Sequence, residues 1–278
     1  MTTQQSLLNQ NVAQDDLKAL HKAKYDLENV SFLMKAFNTI GTPIDTGMAL
    51  IPAKYQDKVQ ETIQQALRLA VNANLKTMKN GRQGKKASNT MYKMVTGFSG
   101  AAGGFLGMAG FTADLLVSTK FMMRSILDIA RSQGEDVHDI STQLACLEVF
   151  ALGGTSEEDD QIDTSYYATR AALHSAMSQA TTYIAKNGTT KIIETLAAQS
   201  SFPIAKLIGE VSTRYSIQVS EKFIAQAVPV VGAAAGASIN VLFIAHFQKM
   251  ATAHFTLRRL ERKYGRQFIE TSFQKIEV

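Results

Sequence analysis

The sequence predicts an all-α protein, a multi-helix bundle in which two glycine-rich, charge-free helical segments pack centrally. Only four prolines occur among 278 residues, and apolar positions recur three and four residues apart rather than in strict alternation. Hydrophobic residues make up 45% of the chain, which is enough for a large core. Two long stretches, Met94–Thr112 and Phe223–Gln248, contain no Asp, Glu, Lys or Arg.

The apolar spacing predicts helices along most of the chain, with ends set by Gly, Pro and polar residues. The predicted helices are Asp15–Phe37, Tyr55–Met78, Met94–Gln133, Ser141–Leu152, Thr164–Lys186, Thr189–Ser200, Ile204–Glu221 and a last helix that runs to Phe268. We expect the Met94–Gln133 segment to break around Gly107–Ala113, with Gly134 capping its end. The core candidates of the second helix include Leu67, Leu69, Ala70 and Leu75.

The domain organisation follows from where the polar ends lie. We expect a flexible polar N-terminus over residues 1–15, a single helical domain over 16–270 and a C-terminal tail over 271–278. The chain has one cysteine, Cys146, so it forms no intramolecular disulfide, and its apolar neighbours predict a buried thiol in a reducing cytoplasm. Met1–Asp16 lacks a basic start followed by an apolar core, which predicts that no secretory signal is present.

Both charge-free stretches carry glycines at four-residue spacing. Gly100 with Gly104, and Gly232 with Gly236, would each form a smooth helix face, and small residues at this spacing let two helices approach closely. The two pairs are therefore expected to pack together, as a glycine zipper. Stretches of this length are also long enough to span a bilayer, so a soluble core and a membrane hairpin both remain open.

Basic residues flank both stretches. A segment without acidic residues precedes the first stretch and includes Lys79, Arg82, Lys85 and Lys86. The net charge is +5, and a basic residue near an anionic lipid surface contributes about 1 kcal/mol. This pattern favours a membrane surface as partner. We do not expect nucleic acid, because no helix-turn-helix, zinc-finger or RNA-binding signature is present.

Charged residues inside predicted helices are the candidates for a polar site. At 100° per residue, five residues of one helix share a side, namely Asp114, Lys120, Arg124, Asp128 and Arg131. Asn240 is a polar group within the second charge-free stretch. In the last helix, His254, Arg258 and Glu261 share a side with Phe247 and Ala251, and Lys249, Thr252, Arg259 and Lys263 lie opposite.

A buried side of the last helix would require His254, Arg258 and Glu261 to pair with one another or with a neighbouring helix, because unpaired buried charge is strongly disfavoured. Asp114 or Asp128 could supply that partner. A structural polar network, a lipid-headgroup or ligand site, and a catalytic site with His254 as base all remain open. No residue set identifies a reaction.

Several site types are not predicted. His246 and His254 are eight residues apart, about 12 Å along a helix, which is too far for two ligands of one zinc ion. The acidic loop Gly153–Asp163 lacks calcium-loop spacing. No P-loop and no GxSxG motif occurs. We therefore predict no catalytic residue, no metal and no cofactor.

Several blocks of sequence resemble the signature of the EcsC protein family. They include GFSGAAGGFLGMAG at 97–110, DLLVSTKFMMRSILD at 114–128, LACLEVFALGG at 144–154 and VSEKFIAQAVPVVGAAAGASIN at 219–240. The resemblance covers about 67–265. The family takes its name from the third product of an operon that encodes an ABC-type exporter, so the resemblance implies a membrane association and makes a membrane transporter a candidate partner. It implies no catalytic residues.

Together these features predict a non-catalytic, membrane-associated helical protein that binds lipid or a membrane-protein partner. The expected location is the cytoplasm, peripheral to the inner face of the cell membrane, with an integral helical hairpin as the alternative. The rival function is a soluble enzyme or small-ligand-binding protein with a polar site around His254, Arg258, Glu261, Asp114 and Asp128.

Overall fold

The structure is a computed structural model that describes residues 12–28, 51–75, 87–93, 107–153, 166–187, 202–227 and 232–276. Within those residues the chain is all-α, as predicted, and contains no strand. The helices are α1 (Gln14–Glu28), α2 (Ala53–Leu75), α3 (Gly107–Ser132), α4 (Ile140–Glu148), α5 (Tyr166–Asn187), α6 (Phe202–Ala227), α7 (Gly232–Tyr264) and α8 (Arg266–Lys275). A 3₁₀ turn, Val149–Ala151, follows α4.

Helix α7 is the element around which the site is built. It has 33 residues, which corresponds to a length of about 50 Å. It packs against α1, α3, α6, α8 and the 3₁₀ turn. Its core side includes Phe243, Phe247, Phe255 and Leu260, each with 0% exposure. Because one helix touches so many others, side chains along α7 meet polar groups from most of the bundle.

The second layer pairs α2 closely with α3, and α6 crosses both α2 and α5. Leu67 and Ala70 of α2 are fully buried as predicted, whereas Leu69 is 46% exposed. The prediction that Leu69 lies in the core was therefore wrong. The apolar side of α2 that contains Leu67 and Ala70 faces the core, and Leu69 lies beside it on the solvent side.

Two helix ends depend on glycine. Helix α3 begins at Gly107, with φ 59°, the first residue of the predicted Gly107–Ala113 break, and it continues unbroken through the rest of that range. The turn after α3 contains Gly134, with φ 86°. The prediction that the last helix continues to Phe268 was wrong. Gly265 adopts φ 91°, a conformation that only glycine adopts readily, so α7 ends at Tyr264 and α8 starts a new direction.

Residues 271–276 pack in the bundle, whereas a tail was predicted over 271–278. Helix α8 continues to Lys275, and Phe273 and Ile276 are 3% and 5% exposed. Several predicted features lie outside the described residues. They are the helix Thr189–Ser200, the glycines Gly100 and Gly104, and the basic residues Lys79, Arg82, Lys85 and Lys86.

Candidate functional site

A buried ion pair joins α3, α6 and α7 near the start of α7. Lys222 Nζ lies 2.7 Å from Asp114 Oδ2, and the two side chains are 0% and 1% exposed. Asn240 donates to Asp114 Oδ1 at 2.6 Å. Lys222 also donates to Ser118 Oγ at 3.1 Å and lies 4.8 Å from the centre of the Phe243 ring.

This lysine cluster, made of Asp114, Ser118, Lys222 and Asn240, has a structural role. Burial lowers the pKa of Lys222, and the adjacent Asp114 carboxylate opposes that change. Both side chains are enclosed by three helices, and their charged atoms contact each other. The predicted candidates Asp114 and Asn240 therefore come together, but their partner is Lys222 rather than a residue of the last helix.

Asp128, Arg131 and Arg124 form a second polar group, on α3. Arg131 donates to Asp128, and the Ser88 backbone N–H donates to Asp128 Oδ2 at 2.6 Å. Arg124 donates a hydrogen bond to Tyr92. These contacts attach residues 87–93 to α3. Asp128 was a predicted partner for His254, Arg258 or Glu261. Its contacts are instead with Arg131 and Ser88.

The histidine cluster lies where α4, α5 and α7 meet, and consists of Glu148, Tyr166, Tyr167, Arg170, His254 and Glu261. His254 Nδ1 lies 3.0 Å from the Tyr166 hydroxyl. Arg170 donates to the Tyr166 hydroxyl at 3.3 Å and to Glu261 Oε1 at 2.6 Å. Tyr167 donates to the same Glu261 oxygen at 3.1 Å. Glu261 is therefore held by α5 and not by His254 or Arg258.

The hydrogen bonds of Tyr166 favour one tautomer of His254. Arg170 can only donate, so the Tyr166 oxygen accepts that bond and its proton is available for His254 Nδ1. The remaining imidazole proton then lies on Nε2, which has no hydrogen-bond partner among the described residues. Nε2 faces Glu148 Oε2 at 3.8 Å, which is too long for a hydrogen bond.

Burial controls the charge of this pair. It raises the pKa of Glu148 to about 7, partly opposed by Arg170 and Arg258. Burial, together with the positive charges of Arg170 and Arg258, holds the pKa of His254 well below its ordinary value of 6.5. His254 is therefore uncharged at neutral pH, and the titration of Glu148 is moved from the acidic range toward neutrality. Adjacent buried groups whose pKa values are shifted in opposite directions are the kind of pair found at acid–base sites.

The C-terminal end of α7 carries cations that two acidic side chains organise. Glu135 accepts from Arg258 at 3.0 Å and also from Arg262. Asp16 of α1 pairs with Arg259 at 2.8 Å and with Lys263 at 2.7 Å. The hydrogen bond from Lys263 is the main cause that lowers the pKa of Asp16 to about 2. The partner of Arg258 is thus Glu135, and not Asp114 or Asp128 as predicted.

A family model for the EcsC protein family matches residues 14–260. The chain belongs to the EcsC protein family. No curated protein and no solved structure matches it. The lysine cluster and most of α1 to α7 lie inside the matched region of this EcsC chain, whereas Glu261 of the histidine cluster lies one residue beyond it.

The helices of this EcsC chain can be compared with what a membrane span or a metal site requires. None of the helices in the described part of the chain is long and apolar enough to cross a membrane. No three His, Cys, Asp or Glu side chains in that part are grouped as metal ligands would be. Gly232 and Gly236 lie in the first two turns of α7, and their predicted pairing with Gly100 and Gly104 stays a prediction.

Sequence reasoning missed several residues of these EcsC clusters, namely Asp16, Glu135, Glu148, Tyr166, Arg170 and Lys222. For Glu148 a signal was present, because it is a single acidic residue in the apolar run Leu144–Phe150. A carboxyl group on the buried side of a helix needs a partner or a shifted pKa. For Arg170 and Lys222 no local signal exists, because their partners are 91 and 108 residues away.

Proposed function

We propose that this EcsC-family chain is a non-catalytic, membrane-associated protein that binds an anionic lipid surface at the inner face of the cell membrane. The observation that carries the proposal is the surplus of half-exposed cations at the C-terminal end of α7 and the start of α8. Arg262, Lys263 and Arg266 have side chains that are 47%, 53% and 55% exposed. Each of these side chains is therefore about half accessible to the solvent.

The local charge balance supports this surface. Five cations, Arg258, Arg259, Arg262, Lys263 and Arg266, face three carboxylates, Asp16, Glu135 and Glu270, which leaves a balance of 5 − 3 = +2. The carboxylates bind these cations but are too few to neutralise all of them. The basic segment containing Lys79, Arg82, Lys85 and Lys86 adds positive charge to the chain, although its position relative to α7 lies outside the described residues.

Lipid binding of this kind has a defined salt dependence. Attraction between exposed charges and an anionic surface falls off within about 10 Å at moderate ionic strength. We therefore expect the protein to fractionate with membranes and to be released by high salt. Retention through alkaline carbonate would instead support the integral hairpin, and recovery wholly in the cytosol would contradict membrane association.

A direct test is co-sedimentation with vesicles of phosphatidylcholine alone or of phosphatidylcholine with phosphatidylglycerol. The double variant Arg262→Gln/Arg266→Gln should bind the anionic vesicles more weakly than the wild type. Its control, Lys54→Gln/Lys186→Gln, changes the net charge equally at exposed positions of α2 and α5. Equal loss in both variants would show that only overall charge matters. Binding to native membranes without binding to vesicles would point to a membrane-protein partner.

A second function is supported by one observation at the histidine cluster. His254 Nε2 has no hydrogen-bond partner among the described residues and lies beside Glu148, whose pKa burial raises to about 7, and such pairs suit a small-ligand or acid–base site. A thermal-shift screen of metabolites against wild type and His254→Asn would test it. A compound that raises the melting temperature of the wild type only would favour this function over lipid docking.

A further inference from the structure

Helix α1 covers a row of cations on α7. Asp16 pairs with Arg259 and Lys263 near one end of α1, and Asp26 lies 3.3 Å from Lys249 near the other end. As residue numbers rise along α1 they fall along α7, so the two helices run antiparallel. The acids are ten residues apart, and so are Lys249 and Arg259, which places both pairs at about 15 Å spacing on their helices.

The contact between α1 and the bundle is unusually polar. The buried residues of α1 are Asp16, Leu20, Ala23, Lys24 and Asp26, so three of the five carry charge. Lys24 donates to the Phe273 backbone carbonyl on α8 at 2.8 Å. A helix that is only a packing element buries an apolar stripe, whereas this one also binds through Asp16 and Asp26, carboxylates whose places on the α7 cations another anion can take.

The cations under α1 remain accessible from outside. The side chains of Arg259 and Lys263 are 36% and 53% exposed, and Lys249 is 23% exposed. A phosphate group could therefore approach them before α1 moves. Carboxylates and phosphates accept the same charge-assisted hydrogen bonds from Arg and Lys, so Asp16 and Asp26 occupy positions that suit lipid phosphates.

We propose that α1 is an acidic intramolecular cover that competes with anionic lipid headgroups for Lys249, Arg259 and Lys263. The inference rests on the proposed lipid-binding function and adds its regulation. In the covered form the two carboxylates pair with all three cations of the row, and Asp26 is shared with Lys22 of α1. When α1 shifts away, the row joins Arg262 and Arg266 and enlarges the basic surface. Leu20 and Ala23, which lie between the two acids and are 0% and 2% exposed, return α1 to the bundle when lipid is absent.

The test compares two full-length variants that alter net charge equally. Asp16→Asn/Asp26→Asn removes the carboxylates that hold the row. Asp15→Asn/Asp57→Asn removes two exposed carboxylates, one of them next to Asp16. We expect the first variant to bind phosphatidylglycerol-containing vesicles about tenfold more tightly than the control variant, since each additional available cation strengthens surface binding. Binding to phosphatidylcholine vesicles should not change.

Hydrogen exchange of the wild type provides a second measurement that does not depend on the variants. Adding phosphatidylglycerol-containing vesicles should speed amide exchange in residues 14–28 and leave residues 249–263 protected. Unchanged protection of α1 on bound protein, or equal binding by both variants, would overturn the cover while lipid binding stands. Failure of wild type and both variants to bind any vesicle would overturn both proposals. Binding by Asp16→Asn/Asp26→Asn alone would support both.

Discussion

His254 Nε2 lies 3.8 Å from Glu148 Oε2 inside the bundle, and the two side chains are 0% and 5% exposed. The tyrosine on the other side of the ring, Tyr166, fixes the imidazole orientation through Nδ1. Arg170 in turn holds Tyr166 and Glu261. The pair is therefore positioned by α5, while its two members come from α4 and α7. Its opposite pKa shifts give the clearest pH-dependent expectation for this protein.

The substitution Glu148→Gln should change how stability depends on pH. Burial raises the pKa of Glu148 from 4.5 to about 7, so the folded protein keeps a proton that the unfolded chain releases between those values. The free energy of unfolding contributed by this group is therefore lost as the pH rises through that window, by at most about 3 kcal/mol. Relative to the wild type, Glu148→Gln should gain stability over the same window in urea unfolding.

His254 supplies the opposing slope and a check on the sign. Its folded-state pKa lies well below 6.5, so the unfolded chain binds the proton first as the pH falls, and stability is lost on the acidic side. Between pH 4.5 and 6.5 the two slopes oppose each other in the wild type, and Glu148→Gln should reveal the rise due to His254. Parallel curves for wild type and Glu148→Gln would contradict the assignment. Glu61→Gln, at a side chain that is 74% exposed, is the control.

Removing the cation of the lysine cluster should be costly. Lys222→Met takes the ammonium group from a carboxylate that is 1% exposed, and breaking a buried pair on one side costs about 3–5 kcal/mol. The double variant Asp114→Asn/Lys222→Met removes both charges and should recover much of that loss. Chemical denaturation measures both, and Lys54→Met, at an exposed lysine, should change stability by less than about 0.5 kcal/mol. A double variant no more stable than Lys222→Met would argue against the ion pair as the cause.

Arg258 and Arg262 should behave as a redundant pair. Both donate to Glu135, whose side chain is 7% exposed, so either one can neutralise that carboxylate after the other is lost. Arg258→Gln and Arg262→Gln together should therefore destabilise the fold by more than the sum of the single changes, by about 1 kcal/mol or more. A double-mutant cycle measures this coupling. A cycle of Arg258 with Lys206 of α6, which shares no ion-pair partner with it, should be additive.

Two glycines should respond to alanine in opposite directions. Gly265, with φ 91°, separates α7 from α8. Alanine at this position would have to adopt the same positive φ, which should destabilise the fold by about 1 kcal/mol or more. Gly209 lies within α6, and a Cβ would have nothing within 4 Å, so alanine should stabilise the helix by about 0.5–1 kcal/mol. Thermal melts of the two variants should shift in opposite directions. A rise in melting temperature for Gly265→Ala would show that the break between the helices is not conformationally required.

The helices were predictable because the signals that form them are local. Apolar spacing marked α2, α5 and α6 to within a few residues at most of their ends. The break at Gly265 was missed because apolar residues recur at four-residue spacing across it, at Leu260, Tyr264 and Phe268. The left-handed conformation of one residue redirects the chain without interrupting that pattern.

Partners of the charged residues were less predictable than the helices. The sequence marked Asp114, His254, Arg258 and Glu261 as groups in need of partners, and the structure supplies Lys222, Tyr166, Glu135 and Arg170 respectively. A helical wheel gives the side on which a residue lies and not the height at which two helices cross. A shift of one turn changes every pairing, so the partners depend on packing of the whole bundle.

The ion pair of Lys222 and Asp114 also bears on how the family diverges. Either residue alone would leave a buried charge, so substitution at one position is tolerated only when the other changes as well. Positions 114 and 222 are therefore expected to covary among relatives. Because Asn240 donates to Asp114, we expect an amide at position 240 only in relatives that keep the acid at position 114. A relative with an apolar residue at 222 is expected to have lost the acid at 114. In an alignment of EcsC sequences, this contact between α3 and α6 should therefore be visible as paired substitutions at positions 114 and 222.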